Sequence, residues 1–461
     1  MILKKLLTSV LVNLCATVLV AAPTSTPDTP AGHTLQAWLT AFNSGDRSQL
    51  DDYVKTIDPH QSADGMIAFR GQTGGFDLLS SESVDSLHVR FKVKEKNSST
   101  VGIGMLAVKD GKPPTVETFS LRAIPPGATP VDVVVDTEMR KKTIDGITVA
   151  LTQFYIDSDL AAKMNTALET HLSAGDYDKI SDGDQFASRL TDDMQAVSHD
   201  KHLRVGFNPF KMPPPRPPTP EDEARMHEQM SRDNCAFQKI EILPGNIGYI
   251  KFNGFMDAGF CGATVNAAMQ FIAHTDALIF DIRENGGGQP DMVTLIASYL
   301  FDRPTHIIDI YNRHEDSTRQ NWTLSYLAGP RYTNKPVYVL TSHRTFSGAE
   351  EFAFDLKNQK RATIVGEVTG GGAHPVSGHP VGDYFMVGVP FAKSLDPATK
   401  ANWEGTGVEP DVKTSAADSL TTAEKLAADK VHAQKASENK PEAAQEVRSP
   451  VPPSSSSSPD N

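Results

Sequence analysis

At 461 residues the chain is too long for one ordinary hydrophobic core, and two or three domains are expected. Its apolar and charged fractions are those of a soluble globular protein. A formal net charge of −13, with no basic run to offset it, argues against a nucleic-acid partner, because such binding draws on phosphate neutralisation.

Lys4 and Lys5 precede an apolar run over 6–20, interrupted only by Thr8, Ser9, Asn13 and Thr17, and Ala21-Ala22-Pro23 follows. A basic start, a short apolar centre and small residues describe a secretory signal peptide over 1–22, and the run is short for a membrane span. Cys15 follows Leu14, where a lipoprotein signal prefers a small residue, so lipidation is not expected. Cleavage leaves Cys235 and Cys261, which form either one disulfide or two buried thiols. The expected location is periplasmic or secreted, with no stable membrane span after cleavage.

A Pro- and Thr-rich linker covers 24–32. Apolar residues at helical spacing predict a helix over 35–42, broken at Asn43-Ser44-Gly45-Asp46 and resumed over 50–54. Strands are expected at 87–93, 101–108 and 116–124. Two helices followed by an antiparallel meander describe a small α+β domain over 33–128, whose order resembles a ketosteroid-isomerase-like cone. It carries no clear catalytic constellation, so a structural or ligand-positioning role is expected there.

Pro125, Pro126 and Pro130 mark a boundary. Helical periodicity over 139–155, 160–172 and 186–197 predicts a small bundle within 134–210, ending in Ser198-His199-Asp200-Lys201-His202-Leu203. Histidines at a helix exit are ordinarily a solvated end whose charge suits the helix dipole. Residues 211–220 hold six prolines and are expected to be an exposed connection, with an acidic amphipathic segment to 232 after it.

A strand over 248–252 and a helix over 263–273 lead to 277–282, which is apolar except for Asp281, as expected of a strand buried on both faces of a largely parallel sheet. Arg283-Glu284-Asn285-Gly286-Gly287-Gly288 follows at once, and 292–300 resumes a helix. Such a glycine cluster is either a simple turn or a place where backbone amides approach a ligand. It lacks the Gly-Lys-Ser/Thr ending of a phosphate loop. The β-rich run 336–341 then meets Thr345-Phe346-Ser347-Gly348-Ala349-Glu350-Glu351, and helical spacing continues over 352–357. A serine on such a strand–turn–helix is either an N-cap or a nucleophile lifted clear of the sheet beside the first N–H groups of the helix.

A short strand at 362–366, a flexible loop Thr369-Gly370-Gly371-Gly372-Ala373-His374-Pro375 and a strand at 384–389 come next. His374 and His379 lack a third ligand at a recognisable spacing, and neither metal nor cofactor is expected. A Gly- and acid-rich turn fills 402–412, and from 416 the Ala- and Lys-rich sequence predicts one helix to about 436 and a disordered low-complexity end.

Asp281-Ile282-Arg283-Glu284-Asn285-Gly286-Gly287-Gly288, Thr345-Phe346-Ser347-Gly348-Ala349-Glu350-Glu351 and Glu404-Gly405-Thr406-Gly407-Val408-Glu409-Pro410-Asp411 occur in order, with Asp200-Lys201-His202-Leu203 upstream. Together they resemble the C-terminal-processing, or tail-specific, serine peptidase family. The likeness is closer to its branch containing interphotoreceptor retinoid-binding protein and tricorn-type peptidases. It spans 134–412 and implies an α/β crotonase-like core over 233–415 with a helical subdomain over 134–210. Residues 204–248 leave no room for the inserted PDZ domain of many processing peptidases.

The resemblance makes Ser347 the nucleophile, with oxyanion amides from Gly348 and Gly287. The lysine that processing peptidases carry in a loop resembling Gly370-Gly371-Gly372-Ala373 is missing, so a Ser-Lys dyad is not expected. Tricorn-type relatives use a histidine oriented through a serine and a glutamate; His202 matches the histidine, Glu404 the glutamate, and Lys201 stands at the serine position. Glu404 then either orients His202, directly or through water, or pairs with Lys201. His199 and His374 are the other candidate bases. The implied function is an exported endopeptidase acting on peptides or proteins through an acyl-enzyme. The retinoid-binding branch implies an alternative, a non-catalytic binding protein for lipophilic small molecules. Oligomeric state is not legible in the sequence.

Overall fold

The computed structural model describes residues 25–124, 133–212 and 216–438. The signal segment, the proline boundary at 125–130, part of the Pro-rich connection and the low-complexity end lie outside the described residues. The chain divides into two compact units between Asp132 and Val133.

In the first unit α1 (Pro30–Ser44), α2 (Arg47–Thr56) and α3 (Ala63–Thr73) precede a four-stranded antiparallel meander of β1 (Phe76–Ser83), β2 (His88–Glu95), β3 (Val101–Lys109) and β4 (Thr115–Ala123). The Thr29 hydroxyl accepts the Gly32 N–H at 3.1 Å to start α1, and Gly45 ends it in the left-handed region. The face so presented buries Leu35, Trp38 and Phe42 against Phe76 and Phe91. Two elements were not expected. α3 has two internal glycines and little amphipathic signal, and is fixed by the Ser62 cap and by Gly74 beyond its end. β1 is an edge strand with a single buried residue, Phe76, so its sequence shows no alternation.

The second unit opens with α4 (Thr137–Phe154), α5 (Ser158–Ala174) and α6 (Gly183–Ser198), each started by an aspartate cap: Asp136, Asp157 and Asp182. Next come β5 (Arg204–Phe207), the exposed α7 (Pro220–Arg232), β6 (Phe237–Leu243), β7 (Ile247–Phe252), α8 (Ala258–Phe271), β8 (Ala277–Asp281), α9 (Pro290–Ser298), β9 (His306–Asn312) and β10 (Ser317–Trp322). The chain continues through β11 (Val337–Thr341), α10 (Gly348–Asn358), β12 (Thr363–Gly366), β13 (Val376–Pro380), β14 (Phe385–Pro390), β15 (Ala392–Leu395), β16 (Val412–Lys413) and α11 (Ser419–Glu438).

Its main sheet has the order β16-β12-β11-β8-β7-β6, parallel throughout except for the antiparallel edge strand β6. Every residue of β8 and β11 is buried, which accounts for their unbroken apolar sequence. The one acid in β8, Asp281, accepts from the Tyr249 hydroxyl at 2.6 Å and from the Arg283 guanidinium at 2.8 Å, so its charge is matched. Residues 419–438, which the sequence reading left beyond the core, form α11 and bury Ala423, Ala427 and Val431 against Ile279, Tyr338 and Leu340. Cys235 and Cys261 form a disulfide with Cα atoms 5.7 Å apart, settling the open alternative.

The helical bundle is not a separate body. β5 leaves α6, pairs with β14 through Val205–Val387 and Phe207–Phe385, and completes the sheet β13-β14-β5. Phe186, Leu190, Phe207 and Phe385 share one core. This pairing carries the turn after α6, with His202, to the loop that enters β13, with His374. Among the described residues no helix is long and apolar enough to cross a membrane.

Candidate active site

β11 and α10 are joined by a turn in which Ser347 stands at the N-cap with φ 53° and ψ −121°. A non-glycine residue at this φ is strained and persists only where its surroundings over-determine it. Here they do. The Ser342 hydroxyl donates to Arg283 O at 2.5 Å, the Thr345 hydroxyl to Ile282 O at 2.9 Å, and the Phe346 N–H to Asn285 O at 3.1 Å. The serine turn is thereby stitched to the glycine loop after β8.

Glu350 adds a second restraint. One oxygen accepts the N–H groups of Ser347 and Gly372, both at 2.8 Å, and the other accepts Gly371 N–H at 2.6 Å and the Thr369 hydroxyl at 2.5 Å. Burial raises its pKa, and these four donors pull in the opposite direction. Glu350 was not singled out in the sequence, although a glutamate three residues after a serine is the capping-box spacing.

Gly287, φ 98°, lies against the turn: a Cβ there would stand 2.6 Å from Gly348 N and 2.8 Å from Ser347 Cβ. Its expected role as an oxyanion amide needs correction, because its N–H donates to Asn285 Oδ1 at 2.9 Å. The Gly348 and Gly288 N–H groups have no protein acceptor among the described residues, and a Cβ on Gly348 would lie 3.1 Å from Gly288 N.

α6 ends at His199, exposed and left-handed at φ 58°. The turn that follows is held by Asp200, whose Oδ1 accepts the His202 N–H at 2.9 Å. The His202 side chain is only 7 % exposed and its ring lies 4.6 Å, centroid to centroid, from that of Phe346, the residue before Ser347. Gly372 completes this contact, since a Cβ on it would meet His202 Cε1 at 2.5 Å and Phe346 Cζ at 2.4 Å. Among the described residues neither ring nitrogen of His202 has a hydrogen-bond partner; the nearest carboxylate oxygen to Nδ1, Asp200 Oδ1, is 3.8 Å away. Burial lowers the His202 pKa to about 4 against the pull of Asp200, and His374 and Arg204 lower it further. The ring is neutral at pH 7.

Glu404 lies beside it. Its Oε2 accepts Ala373 N–H at 2.6 Å and stands 3.5 Å from His374 Nδ1, while Oε1 is buried without a partner. Burial raises its pKa. The expected alternative of a Glu404–Lys201 pair is not formed: the Lys201 ammonium turns away to Gly370 O at 2.6 Å. His374 Nδ1 bonds Asp200 Oδ2 at 2.7 Å, a contact between positions 174 residues apart that no spacing could reveal. His379 bonds the Ser377 hydroxyl and stacks on Phe154, so it does not join His374.

Residues 246–414 match the description "Peptidase family S41", and residues 135–242 match "N-terminal domain of Peptidase S41 in eukaryotic IRBP", the retinoid-binding protein. The two matches together cover more than half of the chain, which belongs to peptidase family S41, a family of serine peptidases. Its particular combination is an S41 domain behind an IRBP-type N-terminal domain. The chain is 29 % identical over 154 residues to the carboxyl-terminal-processing protease of Synechocystis sp., a match covering 33 % of this chain and 34 % of that protein. The chain thus spans about a third of the length of this curated relative. The photosystem II D1 C-terminal processing protease has TM-score 0.40 at 16 % identity over 60 % of this chain and 93 % of that one. A lipoprotein from Streptococcus agalactiae has TM-score 0.44 at 16 % identity over 63 % and 96 %.

Proposed function

We propose that the chain is an exported serine endopeptidase that cleaves peptide bonds through an acyl-enzyme on Ser347. The single observation that carries this reading is the pairing of a strained Ser347 at a helix N-terminus with a buried, neutral, unengaged imidazole packed on the adjacent Phe346.

In this reading Ser347 Oγ attacks the substrate carbonyl and His202 takes its proton. The oxyanion is held by the N–H groups of Gly348 and Gly288, which already sit together at the turn. Collapse of the tetrahedral intermediate passes the proton from His202 to the leaving amine, and water repeats the sequence on the acyl-enzyme. Glu404 and Asp200 face His202 and stabilise the imidazolium that forms. No Ser347–His202 hydrogen bond is present, and such bonds commonly tighten only when substrate binds. Lys201, at the position of the orienting serine, contributes by fixing the 370–372 loop instead.

The largely parallel sheet flanked by α8, α9, α10 and α11 supports a crotonase-like classification of this core. Export rests on the basic, apolar and small-residue pattern of residues 1–22. Hydrolysis of a quenched fluorescent peptide library by wild type and His202→Ala tests the mechanism. The expected result is a loss of about 10³-fold or more in kcat in a variant that still folds. Full activity in His202→Ala would remove His202 from the base role.

A further inference from the structure

Asp200, His202 and Glu404 each offer one donor atom to the same small volume, with all three atoms within 4.8 Å of one another. Each carboxylate has one oxygen held by a donor outside the trio. Asp200 Oδ2 is held by His374 at 2.7 Å, leaving Oδ1, which accepts the His202 N–H, 3.8 Å from His202 Nδ1. Glu404 Oε2 is held by Ala373 N–H at 2.6 Å, leaving Oε1 buried and unpaired. His202, its side chain 7 % exposed, has no partner for either ring nitrogen among the described residues. Buried polar atoms are rarely left unpaired, and the atoms on these two neighbouring side chains are free to bind one shared ligand.

We propose that Asp200, His202 and Glu404 bind a divalent transition-metal ion of the zinc class, and that the bound ion reversibly switches off the Ser347 nucleophile. One imidazole and two carboxylates suit this class of ion and neutralise its charge. Metal–ligand bonds of about 2.0–2.2 Å set ligand atoms about 3.4 Å apart in a tetrahedron, so the cluster must contract by roughly an ångström. Side-chain rotation supplies that, and solvent or a substrate group takes the fourth position. The His374 bond to the far oxygen of Asp200 is the outer support that ligating carboxylates ordinarily have.

The switching half rests on the serine-peptidase reading; the binding half does not. A neutral imidazole has one lone pair for the ion, and its other nitrogen carries the ring proton. Whichever nitrogen of His202 coordinates, the ring can no longer accept the Ser347 proton.

The test uses the full chain, without a polyhistidine tag and freed of metal by a chelator. Zinc is titrated against a chromophoric competitor into wild type, Ser347→Ala, His202→Ala and Glu404→Gln. One zinc per chain is expected in wild type and in Ser347→Ala, with affinity at least tenfold weaker in His202→Ala and Glu404→Gln. Glu404→Gln stands alone if His202→Ala does not fold. Zinc binding that is absent from wild type, or equal in all four proteins, overturns the site. In parallel, labelling of wild type by a fluorophosphonate should slow at least tenfold with zinc and recover with chelator. An unchanged labelling rate with zinc bound overturns the switch, whereas absence of labelling under all conditions overturns the peptidase reading and leaves the titration to decide the site.

Discussion

Glu350 accepts the Ser347 N–H at 2.8 Å and, on the same oxygen, the Gly372 N–H at 2.8 Å, so one wholly buried carboxylate sets both the serine turn and the loop that packs on His202. Glu350→Ala strands four donors at once: the N–H groups of Ser347, Gly371 and Gly372 and the Thr369 hydroxyl. A loss of about 3 kcal/mol or more in unfolding free energy is expected by urea denaturation. Hydrolysis should fall by at least tenfold even where the variant remains folded. Unchanged stability would show that the clamp contributes nothing.

Gly372 is the contact between that loop and the imidazole. Gly372→Ala forces a Cβ to within 2.5 Å of His202 Cε1, and the ring must move. The expected outcome is a destabilisation of about 1–3 kcal/mol, by overpacking, and a loss of about 10²-fold in kcat. An alanine variant with wild-type kcat would separate His202 from catalysis.

The pH dependence follows from burial of His202. With its pKa lowered to about 4, the base is unprotonated from neutrality down to that value, so kcat/KM should hold through pH 5 and fall only near pH 4. An acid limb at about 6.5 would assign the base to an unperturbed histidine. The stability sign runs the same way. The unfolded chain takes up the proton first, so His202 makes acid unfolding easier as pH falls from about 6.5 towards 4.

Glu351 and Asp355 supply the opposite limb. Both lie one turn apart on the buried face of α10; burial pushes Glu351 up to about 8, and burial with Glu351 and Asp396 nearby pushes Asp355 well above the carboxylate range. Here the folded state holds protons that the unfolded state releases. The Glu351 contribution is full below about pH 4.5, falls as pH rises from there to about 8, and changes no further above that. Thermal unfolding of wild type should therefore show a decline between about pH 5 and 8 that Glu351→Gln reduces. A decline over that range identical in the two proteins would contradict the assignment.

What the sequence disclosed, and what it hid, divides along physical lines. The unbroken apolar run of β8 read directly as a strand buried in a parallel sheet, and that of β11 as a strand leading through a tight turn into a helix. Ser347, the glycine loop, His202 and Glu404 were legible as candidates because each sits in a local motif. The Asp200–His374 bond was hidden, because its partners meet only through pairing of β5 with β14. Which amide of the glycine loop is available was hidden too, since it depends on where the Asn285 side chain turns. The helix α11 was legible but its packing on the sheet was not, because Ala- and Lys-rich sequence shows little amphipathic contrast, although small alanines are what lets a helix lie close on a sheet.

The most direct measurement is covalent labelling of the full chain by a fluorophosphonate, followed by peptide mapping, in wild type and Ser347→Ala. The expected result is a single adduct on Ser347 in wild type and none in the variant. Equal labelling of the two proteins, or an adduct mapped to another residue, would contradict Ser347 as the nucleophile.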